Sequence, residues 1–128
     1  MKAIQELVAY FDRRGYLSKA EIDKLLDQGL LAADAPPSMM ELGDLIGATY
    51  YFRVKGEAVG PLWGTDVYTG DSLLGVAAAH AGLVQPGETA IIKVAVVAPP
   101  SAFMGSVRHS VMSHDFGRFG SAYSLSAV

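Results

Sequence analysis

The chain has 128 residues, 51% hydrophobic and 18% charged, and a formal net charge of −3. That length suits one domain with a small appendage, able to bury about two thirds of its unfolded surface without disulfides or a metal. Ten scattered Lys and Arg in an acidic chain exclude the clustered basic surface that nucleic-acid binding needs, so no nucleic-acid partner is expected.

Cysteine is absent, which favours a reducing, cytoplasmic setting. The first eighteen residues carry charges at Glu6, Asp12, Arg13 and Arg14 and no long apolar run, unlike a signal peptide. No apolar stretch reaches the roughly twenty residues that cross a bilayer, so no membrane span is expected.

Residues 2–14 place Ile4, Leu7, Val8 and Phe11 on one face of a predicted amphipathic helix, and Gly15 follows as its stop. Ser18-Lys19-Ala20-Glu21 has the form of a capping box. It opens a second predicted helix that carries Ile22, Leu25, Leu26 and Leu30 on one face. Residues 1–33 are therefore expected to form a helical hairpin. Two helices have no third layer to cover their apolar stripe. The stripe must meet the rest of the chain, a second copy or another protein, and these eight residues are the candidate partner interface. Residues 34–47 contain Pro36-Pro37, which forbids helix. They read as a linker, with one helical turn predicted from Met39 to Ile46.

From Ala48 the period changes to two. TYYFRVKG predicts a strand, GPLWGTDVY a bend into a short strand, and SLLGVAAAHAG a helix capped by Asp71 or Ser72 and closed at Gly82. Leu83 falls where a Schellman motif places its apolar contact. AIIKVAVV is a near-continuous apolar run, expected to be a strand buried on both faces. VRHSVMS and SAYSLSAV predict two last strands around the turn HDFGRFG.

The stretch from Gly60 to Ser72, GPLWGTDVYTGDS, and its continuation Ala77-Ala78-Ala79-His80-Ala81-Gly82 carry a long and specific motif. Gly105-Ser106, Ser113 and the block from Phe116 to Tyr123 extend it in register. Together they resemble the LCCL domain over about residues 48–128. The resemblance implies an α+β fold, a central helix wrapped by antiparallel strands, and a binding role toward glycans or glycolipids without catalysis. The family's cysteines are missing: one of their positions is Gly75. The resemblance is thus to a cysteine-free variant, expected to be of bacterial type.

Several residues invite chemistry. Ser72, His80 and Asp71 suggest a hydrolase, but a helix that includes both Ser72 and His80 separates them by about 12 Å, and a nucleophile needs its base at roughly 3 Å. No catalytic residue is assigned, and His80 is expected to be buried and hydrogen-bonded. His109, His114 and Asp115 match no metal-ligand spacing, so neither metal nor cofactor is expected. Trp63, Asp66, Tyr68 and Asp71 admit two readings. They can stack on and bond a sugar, or pack over the helix. For a ligand site, Trp63, Asp66 and Tyr68 are the candidates. The expected function is a non-catalytic recognition module whose helical hairpin binds a protein or a second copy. The alternative is a stand-alone domain for a glycan or lipid headgroup.

Overall fold

The computed structural model describes residues 33–128. The predicted hairpin, with its candidate interface of Ile4, Leu7, Val8, Phe11, Ile22, Leu25, Leu26 and Leu30, lies outside the described residues except for Ala33.

Three strands make the body of the sheet: β2 (Thr49–Lys55), β5 (Thr89–Val97) and β8 (Ala122–Ala127). Their β-branched and aromatic side chains suit a pleated, half-buried surface. β2 runs antiparallel to β5 with Tyr50 opposite Val94 and Phe52 opposite Ile92. β8 pairs with the other side of β5, with Tyr123 opposite Val96. Short strands extend both flanks: β1 (Ala33–Asp34), parallel to β2, then β4 (Val67–Thr69) against β8 and β3 (Gly64–Thr65) against β4. The sheet order is β1-β2-β5-β8-β4-β3. A separate two-stranded ribbon joins β6 (Val107–Arg108) to β7 (Val111–Met112).

The one helix among the described residues, α1 (Leu74–His80), lies against β2 on one side and β7 on the other. Leu74 and Val76 to His80 are all buried. The expected α+β arrangement thus appears as a six-stranded sheet, a buried helix and a small covering ribbon. Gly75 lets the helix approach β2: a Cβ there would lie 2.4 Å from the Lys55 carbonyl oxygen. At the other end Gly82 has φ 78°. The Leu83 N–H donates to the Ala78 carbonyl at 3.0 Å and the Gly82 N–H to the Ala79 carbonyl at 3.1 Å. That is the Schellman closure, and Leu83 packs on the core.

Four expectations need correction. Neither Asp71 nor Ser72 caps α1: the cap position is Leu73, with extended backbone and no side-chain bond. The Leu74 N–H is satisfied instead by the Pro37 carbonyl at 2.9 Å, and Ser72 lies before the helix. β5 is not buried on both faces: Ile92, Val94 and Val96 are buried while Ile91, Lys93, Ala95 and Val97 alternate as half-buried. The apolar run therefore conceals a period of two. Met39 to Ile46 forms turns, closed by Leu42 N–H to Met39 O and Ala48 N–H to Leu45 O, and not a helical turn. Finally, VRHSVMS is not one strand but the β6–β7 ribbon. His109 and Ser110 turn it with φ of 52° and 62°, the paired positive values of a two-residue hairpin loop that follows strand twist.

The Pro-containing stretch is joined to the sheet and helix. Besides β1 and the Pro37 bond, Ala35 N–H donates to Arg53 O, Met39 N–H donates to Gly70 O, and Met39 is buried in the core. A groove of about 560 Å³ opens between this stretch, β2 and the start of α1. Asp34, Arg53, Lys55 and Glu57 stand around it, and Leu73 and Val54 are among its apolar walls.

Candidate functional site

Two features meet at the end of the molecule where the 60s loop, α1 and the ribbon converge. One is a polar chain, buried at Tyr68 and His80 and half-buried at Ser106 and Thr65. His80, at the last turn of α1, has no solvent exposure. Its Nδ1 lies 2.9 Å from the Tyr68 hydroxyl and its Nε2 lies 3.1 Å from Ser106 Oγ. Ser106 Oγ is 2.6 Å from Thr65 Oγ1, and Thr65 donates to the Met104 carbonyl at 2.8 Å. A carbonyl can only accept, which sets the direction along the chain. The Thr65 hydrogen goes to Met104, so Ser106 donates to Thr65 and accepts from His80 Nε2–H. Nδ1 is then the acceptor for Tyr68. Burial pushes the His80 pKa below its ordinary value. The Ser106 carbonyl works in the opposite direction, and Arg108 and His109 add to the depression.

This assignment decides what the Ser–His pair can do. Ser106 and His80 have the spacing of a nucleophile and its base. Yet Nε2 carries the proton, so it cannot take one from Ser106, and the imidazole is closed to solvent. Ser72, the sequence candidate, is 0% exposed and turned elsewhere. Its Oγ accepts from the Trp63 N–H at 3.0 Å and lies 2.8 Å from Thr69 Oγ1. The Tyr123 hydroxyl donates to the Ser72 carbonyl at 2.8 Å. Ser72 thus braces the 60s loop from inside.

The second feature is an aromatic surface above this chain. Trp63 meets Phe116 edge-on with ring centroids 6.1 Å apart, and Phe116 meets Phe119 at 5.8 Å. Trp63 and Phe119 are half-buried and Phe116 is 42% exposed. Met104, Val107 and Met112 are also exposed. The surface hangs on backbone pairing: the His114 N–H donates to Leu62 O, the Gly64 N–H to His114 O, and Phe103 and Phe116 exchange bonds in both directions.

The three sequence candidates separate here. Trp63 reaches this surface. Asp66 is exposed beside it, at φ 67°, with its carboxylate accepting from Arg108 at 2.8 Å. Tyr68 has no solvent exposure and supports His80 from within. Burial pushes its hydroxyl up to about 12, partly offset by the Asp66 backbone N–H. Sequence reasoning missed Ser106, Thr65 and Phe116 as members of one site. The pair Phe116 and Phe119 in a glycine-rich turn was the visible signal, because exposed aromatics in a loop have no core to fill. His109 and Asp115 are committed locally. His109 Nδ1 lies 2.8 Å from the His80 carbonyl, and Asp115 accepts from the Gly105 N–H at 2.7 Å. Among the described residues no three His, Asp or Glu side chains gather to hold a metal. No described helix is long and apolar enough to cross a membrane.

The family model of the LCCL domain matches residues 50–122, from β2 through α1 and the ribbon to the start of β8. The chain belongs to the LCCL domain family. LCCL domains are binding-type modules, and in this one the matched segment contains both the polar chain and the aromatic surface. The comparison with curated proteins finds no match. Gly75 is where this LCCL domain brings helix and β2 too close for a side chain.

Proposed function

We propose that the chain is a non-catalytic recognition module in which residues 1–33 carry the contact to a protein partner or to a second copy. The observation that carries the non-catalytic part is the closure of His80: its ring has no solvent exposure and its two nitrogens are taken by Tyr68 and Ser106. The contact to a partner rests on the amphipathic pattern of Ile4, Leu7, Val8, Phe11, Ile22, Leu25, Leu26 and Leu30. Burying four such side chains is worth about 6–12 kcal/mol before the costs of association, enough to support a dimer. The cysteine-free sequence fits work in a reducing, cytoplasmic compartment.

The test is mass in solution. The full chain is expected to run as an oligomer, or to retain a protein partner, and a doubly charged variant, Leu7→Asp with Leu25→Asp, to run as a folded monomer without one. Equal masses and equal partner retention for the two proteins defeat the reading.

A second reading is favoured by the Trp63–Phe116 pair beside the exposed Asp66 carboxylate. A flat ring with a neighbouring acceptor suits a sugar, through stacking and a hydroxyl hydrogen bond. On this reading the ligand is a glycan or lipid headgroup, Trp63 and Asp66 touch it, and Tyr68 supports the loop from behind. Binding of glycans that survives Trp63→Ala unchanged rules it out.

A further inference from the structure

The ribbon is held to the rest of the domain by Val111, buried in the core beside α1, and by polar bonds that gather around His80. His80 accepts from Tyr68 of β4 through Nδ1 and donates to Ser106, the residue before Val107, through Nε2. Its own carbonyl lies 2.8 Å from His109 Nδ1 at the ribbon's tip. On the other side, Ser113 and Ser106 hold the base of the ribbon together: Ser113 N–H to Ser106 O at 2.8 Å, and Ser106 N–H to Ser113 Oγ at 2.8 Å. The next residue, His114, carries the two backbone bonds to Leu62 and Gly64 that hold the Trp63 loop. On the outward side Val107 and Met112 are exposed, so of the ribbon's apolar side chains Val111 alone is buried against the core.

We propose that the β6–β7 ribbon is a proton-operated latch, closed over α1 by neutral His80 and opened when that imidazole gains a second proton. The chemistry is one of donor count. With both ring nitrogens protonated, Nδ1–H faces the Tyr68 hydroxyl. That hydroxyl must turn to accept, and its hydrogen then points away from its acceptor. A charge is also created at a site with no solvent exposure. The groups that face His80 do not cancel it. Arg108 and His109 on the ribbon repel the imidazolium, Asp66 alone attracts it, and Asp66 is exposed and already paired with Arg108. Lifting the ribbon opens the Nε2 side of His80 to water and carries Arg108 and His109 away from it, leaving the Tyr68 hydroxyl to turn in place. It also releases His114, and with it the backbone of the loop that carries Trp63. The latch therefore sets the shape of the aromatic surface, whatever ligand that surface takes.

Amide hydrogen exchange on the full chain, corrected for intrinsic rates, reads the latch directly. The probes are the amides of Ser106, Ser113, His114 and Gly64. Between pH 7.5 and 5.0 an open state of ordinary histidine pKa, 6.5, gains over a closed state that stays neutral by at most about thirtyfold. A loss of protection approaching that factor at these four amides, with none at Val94 and Val96 of β5, is expected. The same loss is expected in His114→Gln, whose side chain takes no part in the latch. His80→Gln is expected to show equal protection at both pH values. Should that variant not fold, the carbon shift of the His80 ring in the wild-type chain takes its place, and its titration must coincide with the opening. Unchanged protection at pH 5.0 overturns the proposal. So does a loss that disappears in His114→Gln, or an opening that precedes any protonation of His80.

Discussion

The sheet and the ribbon end are held by different physics. Around β2, β5 and β8 the register is long and the buried residues are apolar: Phe52, Ile92 and Val94 have almost no exposure. Around α1's last turn and the ribbon, pairing is only two residues long, and beside the buried Val111 order comes from side chains bonded to partners far along the chain. Burial of apolar area is non-directional and tolerant of small shifts. A buried hydrogen-bond chain fails when one member loses its partner. One region therefore gives stability and the other gives a defined, responsive shape.

The largest expected effect lies in the sheet. Phe52→Ala should cost about 3–5 kcal/mol in urea unfolding, the usual range for emptying an aromatic site in a packed core. At the ribbon end, Tyr68→Phe removes one oxygen and leaves His80 Nδ1 without its donor. The expected cost is about 1–3 kcal/mol. If Tyr68→Phe proves costlier than Phe52→Ala, the division of labour between the two regions is wrong.

Acid and base should sharpen the contrast. Because burial lowers the His80 pKa, its contribution is complete above 6.5 and is lost as pH falls below that value toward the folded pKa. The slope there is at most about 1.4 kcal/mol per pH unit for this one proton. Tyr68, raised to about 12, and Tyr123, also raised by burial, act with the opposite sign. Their contribution is complete below pH 10 and is lost as pH rises through the folded values. Urea midpoints measured from pH 4.5 to 8 should therefore fall on the acid side, and His80→Gln should flatten that arm. The smallest effect belongs to Arg108→Ala. Its ion pair with Asp66 is exposed on both sides, and less than about 1 kcal/mol is expected from the same unfolding curves.

The same contrast explains what the sequence revealed. Alternating and β-branched residues announced β2, β5 and β8, and the glycine at 82 announced the helix end. These signals are local and periodic. The closing motif from Phe116 to Tyr123 pointed to the family. The ribbon turn carries no Asn-Gly or Gly signal, only His109 and Ser110, whose left-handed backbone is anchored by a bond to His80, 29 residues earlier. Ser72 has the residue type and position of a helix cap, yet its hydroxyl is taken by Trp63 and Thr69. Thr65 and Ser106 are 41 residues apart. No periodicity encodes such a pairing, so Trp63 and Asp66 could be proposed from their chemistry while the polar chain beneath them could not.

The bond from the Leu74 N–H to the Pro37 carbonyl has a mechanical meaning. The backbone entering at Ala33 is fastened to the sheet by β1 and then, four residues on, to the first turn of α1. Any partner gripping the preceding segment holds a handle that is tied first to β2 and then to the helix start. The far end of that same short helix is His80. The Pro37 anchor and the imidazole of His80 thus stand at opposite ends of one helix about two turns long.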